Sequence, residues 1–342
     1  MKKIVIIGAG AMGSAFTVPC VDNLNEVILV GSFLEDKVIE QINNNNNIHP
    51  VLNYQLPKSV KIKKFSELDD KIKDDIDLIV VGVSSKGIEW IGDELSKFYN
   101  EKTNILLLTK GLAVIENQFE TLADKLEKIL EKNGTTNPKI SAVGGPCLAN
   151  GLANRIKSSV VLASKNIEIV KEIGKIISTS YYSTEFTDDL IGVEVCAATK
   201  NIYSMLIGAS EGLSGNNIDG ETKKKYYLNT AASLIYKSLS EMKKLTKKLK
   251  GKDETVFGLA GLGDLHVSAA GGRNSMMGNY LGKGLLYKDA KDKYMKEITV
   301  EGADLAFEIG AKILKEFDKT DFPLLFCILD AICNNKKLII DW

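Results

Sequence analysis

An α/β first half built on a doubly wound, mostly parallel sheet, followed by an all-α second half, is the fold class this sequence predicts. Three observations predict it. A buried strand breaks into a glycine-rich turn at the start of the chain, and apolar strand-like runs then alternate with helical patterns up to about residue 188. From Asp189 onward strand signals nearly vanish and helical periodicity dominates. The expected domains are therefore 1–188 and 189–342.

The first element is the strand Lys3–Ile7, which runs into Gly8-Ala-Gly10-Ala11-Met12-Gly13-Ser and then a helical pattern. Gly8 permits a tight turn, Gly10 lets a pyrophosphate approach the backbone, and Gly13 lets the helix lie close to the strand. Free amides at the helix start then face the phosphates. This is a dinucleotide fingerprint in its proper strand-turn-helix context, so the first domain is expected to be Rossmann-like. Further strands are predicted at 27–30, 78–83, 105–109, 140–143, 160–163 and 181–186. The asparagine run at 43–47 reads as an insertion between elements and is given no function. In the second half, 223–250 has apolar residues at helical spacing, and its many lysines, with no interleaved aromatics, read as a solvated helix face rather than a nucleic-acid patch.

Composition removes several function classes. Hydrophobic residues make up 44% and charged residues 26% of 342, which is ordinary globular usage and excludes disordered and fibrous classes. Forty-four basic residues balance 44 acidic ones, so no global field draws the chain to nucleic acid or an anionic membrane. No stretch approaches the roughly 18 to 20 uninterrupted apolar residues of a membrane span, so no integral membrane association is expected. Lys2 and Lys3 before an apolar run superficially resemble a signal peptide, but glycines interrupt the run and a regular strand-helix-strand pattern follows, so the segment reads as structure and the location as cytoplasmic. Five cysteines without a C-x-x-C pair read as reduced thiols, and with His49 and His266 the only histidines no His-rich metal site is expected.

Catalysis must lean on other residues. Lys200 lies in Glu194-Val-Cys-Ala-Ala-Thr-Lys-Asn-Ile-Tyr203, near the start of the second domain, and a lysine in so apolar a stretch is hard to explain as surface; the alternative is an ammonium snorkelling from the edge of a buried helix. Reduction of a ketone needs a group that protonates the oxygen as it becomes an alkoxide, which an ammonium supplies. Asn201 next to it is placed either to donate to a substrate oxygen or to face solvent. Lys110 follows a buried strand, and functional groups of doubly wound sheets gather at carboxyl ends of strands. Gly261-Leu-Gly-Asp264-Leu-His266-Val-Ser268-Ala-Ala-Gly-Gly272-Arg273-Asn274 reads as a flexible loop ahead of a new helix, with an arginine fork suited to phosphate oxygens. A surface ion pair is the alternative for Arg273, and His266 reads as packed or solvated rather than catalytic.

With these motifs in place the chain resembles the NAD(P)-dependent sn-glycerol-3-phosphate dehydrogenases over nearly its whole length. The resemblance rests on Gly8-Ala-Gly-Ala-Met-Gly13, Thr109-Lys110-Gly111-Leu112, Gly145-Pro146-Cys-Leu-Ala149, Ala198-Thr-Lys200-Asn201, the Gly261–Asn274 stretch and Val300-Glu301-Gly302. It implies that Lys200 is the general acid/base, with Lys110 and Asp264 completing the polar site. It implies that Lys110, Gly145, Lys200, Asn201, Asp264, Ser268, Arg273 and Asn274 hold the substrate and its phosphate. Cofactor contacts are implied for Gly8, Gly10, Ala11, Met12, Gly13, Ser84, Lys110, Ala149, Arg273 and Glu301. The implied reaction is reversible reduction of dihydroxyacetone phosphate to sn-glycerol 3-phosphate with NAD(P)H, supplying phospholipid synthesis. Apart from the resemblance, no metal is expected from the scarce histidines and scattered cysteines, and the helical second domain leaves room for a homodimer.

The chain departs from the family pattern in three places. Gly151-Leu152 stands where the family often has Glu-Val, and Ser268 where threonine is commoner. At the end of the second strand, Val30-Gly31-Ser32-Phe33 lacks an acid to accept ribose hydroxyls, with Glu35 further on; the expectation is NAD(P), leaning to NADP. Two competing readings are a ketopantoate-reductase-like 2-ketoacid reductase, which would not need the Gly-Gly-Arg-Asn segment, and an inactive NAD(P)-binding sensor, against which the intact Lys110, Lys200 and Asp264 argue.

Overall fold

The computed structural model describes residues 1–215 and 217–340. The chain divides into two compact units, one of 1–110 with 122–190 and the other of 111–121 with 191–342.

The first unit is built on an eight-stranded sheet: β1 (Lys3–Ile7), β2 (Glu26–Val30), β3 (Lys61–Lys63), β4 (Leu78–Val81), β5 (Asn104–Leu107), β6 (Lys139–Gly144), β7 (Ser158–Ala163) and β8 (Tyr182–Thr187). Their order is β8-β7-β6-β5-β4-β1-β2-β3, reversing at β1. The six strands from β1 to β6 are parallel; β7 runs antiparallel to β6, and β8 parallel to β7. Residues Ile4 to Ile7 and Leu78 to Val81 are all at or near zero exposure because helices cover both faces, which is why these strands read as continuous apolar runs rather than alternations. The edge strand β3, Lys-Ile-Lys, escapes the sequence reading because three residues with exposed or half-buried lysines carry no apolar run. Asn43 and Asn44 end the helix Asp36–Asn44, while Asn46 and Asn47 take left-handed φ of 48° and 62°, a conformation asparagine tolerates.

The second unit is helical from 191 onward among the described residues, and it also takes in the hairpin Leu112–Ile115 with Gln118–Thr121. The sequence division at 188/189 keeps that hairpin in the first domain. The structure groups it otherwise because Leu112 and Ala113 are buried and Phe119 lies edge-on to Phe317, at 5.7 Å, with the Lys312 ammonium 5.3 Å from the Phe119 ring. Its turn uses Glu116 and Asn117 at positive φ, 48° and 60°, as a tight hairpin of this kind demands.

The helix Leu190–Gly208 is long and apolar enough to cross a membrane by length and hydropathy, but 89% of that window is buried inside the protein and Glu194 and Lys200 interrupt it. That is the pattern of a core helix apolar all round. The expected single helix over 223–250 is two, Gly220–Tyr226 and Leu228–Lys248, meeting at Tyr227. Its lysines form surface pairs, Lys243 with Asp253 at 3.3 Å and Lys244 with Asp321 at 2.8 Å.

Candidate active site

In the first unit, candidate residues collect where β1 gives way to the helix Ala11–Asp22. Gly8 has φ 117°, and a Cβ there would stand 2.5 Å from the carbonyl carbon of Gly82. A Cβ on Gly13 would lie 2.1 Å from the carbonyl oxygen of Gly8, so only glycine lets this helix sit so close to the strand. Gly10 differs, because the nearest atom to a Cβ there is Glu35 Oε1 at 3.8 Å: the space over Gly10 is open. Ala11, Met12 and Gly13 open the helix, and their amides present an anion-binding end. A turn glycine, a glycine that packs the helix against the strand end, an open glycine and a free helix start fit the pyrophosphate of a dinucleotide.

Ala9, at the centre of this turn, is held from two sides. Its amide donates to Glu35 Oε2 at 3.0 Å, and its carbonyl accepts from His49 Nε2 at 2.9 Å. The same Glu35 oxygen accepts the Ser32 amide at 2.8 Å. The sequence leaves the end of β2 without an acid; the structure places one there, because the chain turns at Ser32 and brings Glu35 back over the strand end, with Glu35 N donating to Ser32 O at 2.9 Å. Burial pushes the His49 imidazole below its usual pKa, against the opposing influence of the Ala9 carbonyl and the Glu35 carboxylate.

The other first-unit candidates stand past the carboxyl ends of parallel strands, on the same edge of the sheet as the glycine turn. Ser84 follows β4, Lys110 follows β5, and Gly145 with Ala149 follows β6. Thr109 Oγ1 donates to the Val83 carbonyl at 2.6 Å, tying the segment before Lys110 to the one before Ser84. Ala149 opens the helix Ala149–Ala153, in which Leu152 belongs to the core and Gly151 faces open space, with only Ile156 Cβ near at 3.9 Å. The departure Gly151-Leu152 thus removes a side chain from an open side of that helix.

In the second unit the candidates converge on Lys200. It rides the middle of the Leu190–Gly208 helix and is 8% exposed, and its ammonium does not snorkel: it pairs with Asp264, itself 3% exposed, and donates to Ser268 Oγ at 2.9 Å. The sequence places Asp264 and Ser268 in a flexible loop. They lie instead on the helix Asp264–Ala270, four residues apart and so on one face, which is why both reach the same ammonium. A second set adjoins it: Asn274 Nδ2 donates to Asn201 Oδ1 at 3.0 Å, and Asn274 Oδ1 accepts the Gly302 amide at 2.9 Å. A Cβ on Gly302 would stand 2.4 Å from the Asn201 carbonyl oxygen, so glycine is what allows this approach. Arg273 opens the helix Arg273–Gly282 and pairs with Glu301, both partly exposed. His266 is exposed on the Asp264–Ala270 helix and joins neither set.

Buried ammonium, carboxylate and hydroxyl beside two locked carboxamides and an accessible guanidinium can bind a polar anionic molecule and move a proton. Among the described residues no group of three or more His, Cys, Asp or Glu side chains is placed to hold a metal ion. Sequence reasoning missed Glu35 and His49 as partners of the glycine turn, because both reach Ala9 from 26 and 40 residues away along the chain.

Comparison with known proteins gives a consistent outcome. The family model described as NAD-dependent glycerol-3-phosphate dehydrogenase N-terminus matches residues 3–170, and the model for the C-terminus of the same family matches 189–340. The NADP(+)-dependent glycerol-3-phosphate dehydrogenase of Archaeoglobus fulgidus is 32% identical, covering 98% of this chain and 96% of that one. A glycerol-3-phosphate dehydrogenase (NAD(P)+) of Clostridium botulinum is 29% identical, covering 99% and 98%. Among solved structures, glycerol-3-phosphate dehydrogenase from Coxiella burnetii aligns with a TM-score of 0.78 at 26% identity, covering 98% of this chain and 95% of that one.

Proposed function

This chain belongs to the NAD-dependent glycerol-3-phosphate dehydrogenase family and is an NAD(P)-dependent oxidoreductase interconverting dihydroxyacetone phosphate and sn-glycerol 3-phosphate; on that premise we propose that Lys200 is its general acid. The observation that carries the assignment is the buried ammonium fixed by Asp264 and Ser268. When bound, the reduced nicotinamide supplies a hydride to C2 of the ketone. As negative charge builds on the C2 oxygen, the Lys200 ammonium stabilises it and delivers the proton that completes the alcohol; in the reverse direction the neutral amine takes that proton back.

Asp264 and Ser268 are positioning groups. The carboxylate offsets the cost of burying the ammonium, and Ser268 fixes one of its three N–H vectors. Asn201 and Asn274 hold each other in register to take a substrate oxygen, and Arg273 supplies the fork for the phosphate. In the first unit Gly8, Gly10, Ala11, Met12 and Gly13 form the pyrophosphate turn, with Ser84, Lys110, Gly145 and Ala149 along the same strand ends. Lys110 is assigned to both cofactor and substrate, Gly145 to substrate, and Glu301 to the cofactor beside Arg273. The product supplies phospholipid synthesis.

The same reading places the protein in the cytoplasm as a homodimer. Exposed Leu228 and Tyr236 on one helix of the second unit, 61% and 73% accessible, offer apolar surface for a second copy; sedimentation of wild type and Tyr236→Glu tests it. The function itself is tested by mixing protein with dihydroxyacetone phosphate and following NADH and NADPH oxidation separately. Turnover that disappears in Lys200→Ala supports the assignment. Turnover of a non-phosphorylated 2-ketoacid in its place, or nucleotide binding with no turnover, overturns it.

A further inference from the structure

We propose that Glu35 reads the 2′-hydroxyl of the adenosine ribose and makes this chain prefer NAD(H) to NADP(H). The proposal rests on the dinucleotide reading of the glycine turn and names which dinucleotide that turn accepts. It runs against the lean to NADP drawn from the residues that directly follow β2, and it differs from the NADP(+) dependence of the Archaeoglobus relative.

In a sheet whose order reverses at its first strand, the nucleotide lies across the carboxyl ends of the strands, with its ribose beyond the end of the second; an acid there accepts the two ribose hydroxyls. Here β2 ends at Val30 with Gly31, Ser32 and Phe33 behind it, none acidic. The turn at Ser32 returns Glu35 to the place those residues leave empty. One carboxylate oxygen, Oε2, spans the amides of Ala9 and Ser32, joining the cofactor turn to the end of β2. The other, Oε1, has no hydrogen bond among the described residues and is the nearest atom to the space above Gly10, 3.8 Å from where a Cβ would stand. The carboxylate is therefore fixed by one oxygen and presents the other to the ligand side of the turn.

An oxygen so placed accepts a ribose hydroxyl, whereas a 2′-phosphate would bring a dianion against it. No Lys or Arg lies between Val30 and Asp36 to offset that repulsion, and Lys64 on the neighbouring edge strand's exit is already paired with Glu40 at 2.5 Å. Phe33, two residues before Glu35 and 56% exposed, stands edge-on to Trp90 at 5.1 Å and leaves an aromatic surface for the base.

The test is direct titration of wild type and Glu35→Gln with NADH and with NADPH, read by nicotinamide fluorescence and without substrate, alongside thermal unfolding. Wild type is expected to bind NADH at least 10-fold more tightly than NADPH. Glu35→Gln keeps an oxygen for the two amides and removes the charge; it is expected to bring the ratio close to one by tightening NADPH. A purely structural role would weaken both nucleotides together and leave the ratio alone, and that result overturns the proposal. So does a wild-type protein that binds NADPH as tightly as NADH, a result that stands even if Glu35→Gln fails to fold. Glu35→Asp, which retains the charge, is expected to keep the preference for NADH. Binding of neither nucleotide overturns the dinucleotide reading itself, and this proposal with it.

Discussion

His49 Nε2 donates to the carbonyl oxygen of Ala9 at 2.9 Å, while the Nδ1 of the same ring accepts the amides of Val51 at 3.2 Å and Leu52 at 3.1 Å. An amide N–H only donates, so Nδ1 must be unprotonated and the ring neutral, with its proton on Nε2. Protonating Nδ1 would set N–H against N–H at two points and loosen the loop that steadies the glycine turn.

A pH dependence follows. Burial lowers the His49 pKa from its ordinary 6.5, with the Ala9 carbonyl and the Glu35 carboxylate opposing. Between the folded and unfolded values the unfolded chain binds more protons, so stability rises with pH there. The contribution is complete above about 6.5 and is lost as pH falls through the folded value. Measured from about pH 8 to pH 5, thermal stability should begin to decline below about 6.5 and NADH affinity should fall at lower pH, as the folded imidazole itself takes up a proton, and His49→Gln should flatten that part of both curves. Parallel curves for wild type and variant would remove His49 from the account.

The glycines of the turn should separate folding from binding. Gly13→Ala forces a Cβ to within 2.1 Å of the Gly8 carbonyl oxygen and should cost about 1–3 kcal/mol of stability. Gly10 has φ −69°, which any residue adopts, and open space before it. Gly10→Ala should therefore unfold within about 0.5 kcal/mol of wild type, yet bind nucleotide at least 10-fold more weakly, since its methyl occupies the pyrophosphate's approach. Calorimetry with and without NADH measures both; equal loss of stability in the two variants would contradict the assignment.

The Lys200 and Asp264 pair should behave as a unit. Asp264→Asn keeps the shape and removes the countercharge, leaving a buried ammonium without it. Stability should fall by about 3 kcal/mol, and kcat by about 100-fold or more, with a smaller change in KM. Ser268→Thr retains the hydroxyl and should stay within about threefold of wild type, whereas Ser268→Ala should lower kcat without unfolding the protein. A Ser268→Ala enzyme indistinguishable from wild type would show that the hydroxyl does not position the ammonium.

What was legible in the sequence depended on how local the physics was. The strands β1 and β4 announce themselves because burial on both faces demands uninterrupted apolar residues, and Lys200 does so because a cation in such a stretch needs a reason. Asp264 and Ser268 were legible as types but not as an element. The glycines around them suggested flexibility, yet a Cβ on Gly261 would stand 2.0 Å from the Val256 carbonyl oxygen, so this glycine serves close packing at the entrance of a helix. Glu35 and His49 were illegible in their roles for another reason: both act on Ala9, 26 and 40 residues away, and no local pattern encodes such a contact.

Arg273 and Glu301 form a pair whose side chains are 53% and 42% exposed, so its removal should barely touch stability while altering ligand affinity. Arg273→Ala is expected to unfold within about 0.5 kcal/mol of wild type and to raise KM for dihydroxyacetone phosphate at least 10-fold. Arg273→Lys keeps the charge but not the fork and should recover only part of that loss. An unchanged KM in Arg273→Ala would mean that the pair is only a surface ion pair and that the phosphate is held elsewhere.

Glu241 ties three helices of the second unit together. The helix Pro323–Cys333 has no side-chain cap of its own. Glu241, 4% exposed on the Leu228–Lys248 helix, supplies it from outside: its carboxylate accepts the amides of Leu324 at 2.6 Å and Leu325 at 2.9 Å and the hydroxyl of Tyr203 at 3.0 Å. A negative charge at a helix start is favourable, but burial dominates and raises the Glu241 pKa above its ordinary 4.5, with the three donors opposing. The folded state then binds more protons than the unfolded one between those values, so this group's contribution is greatest below about 4.5 and diminishes as pH rises through the folded pKa. Glu241→Ala strands two amides and a phenol and should cost about 3 kcal/mol, whereas Glu241→Gln keeps one acceptor, sheds the buried charge and should cost less at neutral pH than at pH 5. Denaturant unfolding at the two pH values checks the order, and a glutamine variant as unstable as the alanine one at neutral pH would show that the charge itself holds the helix.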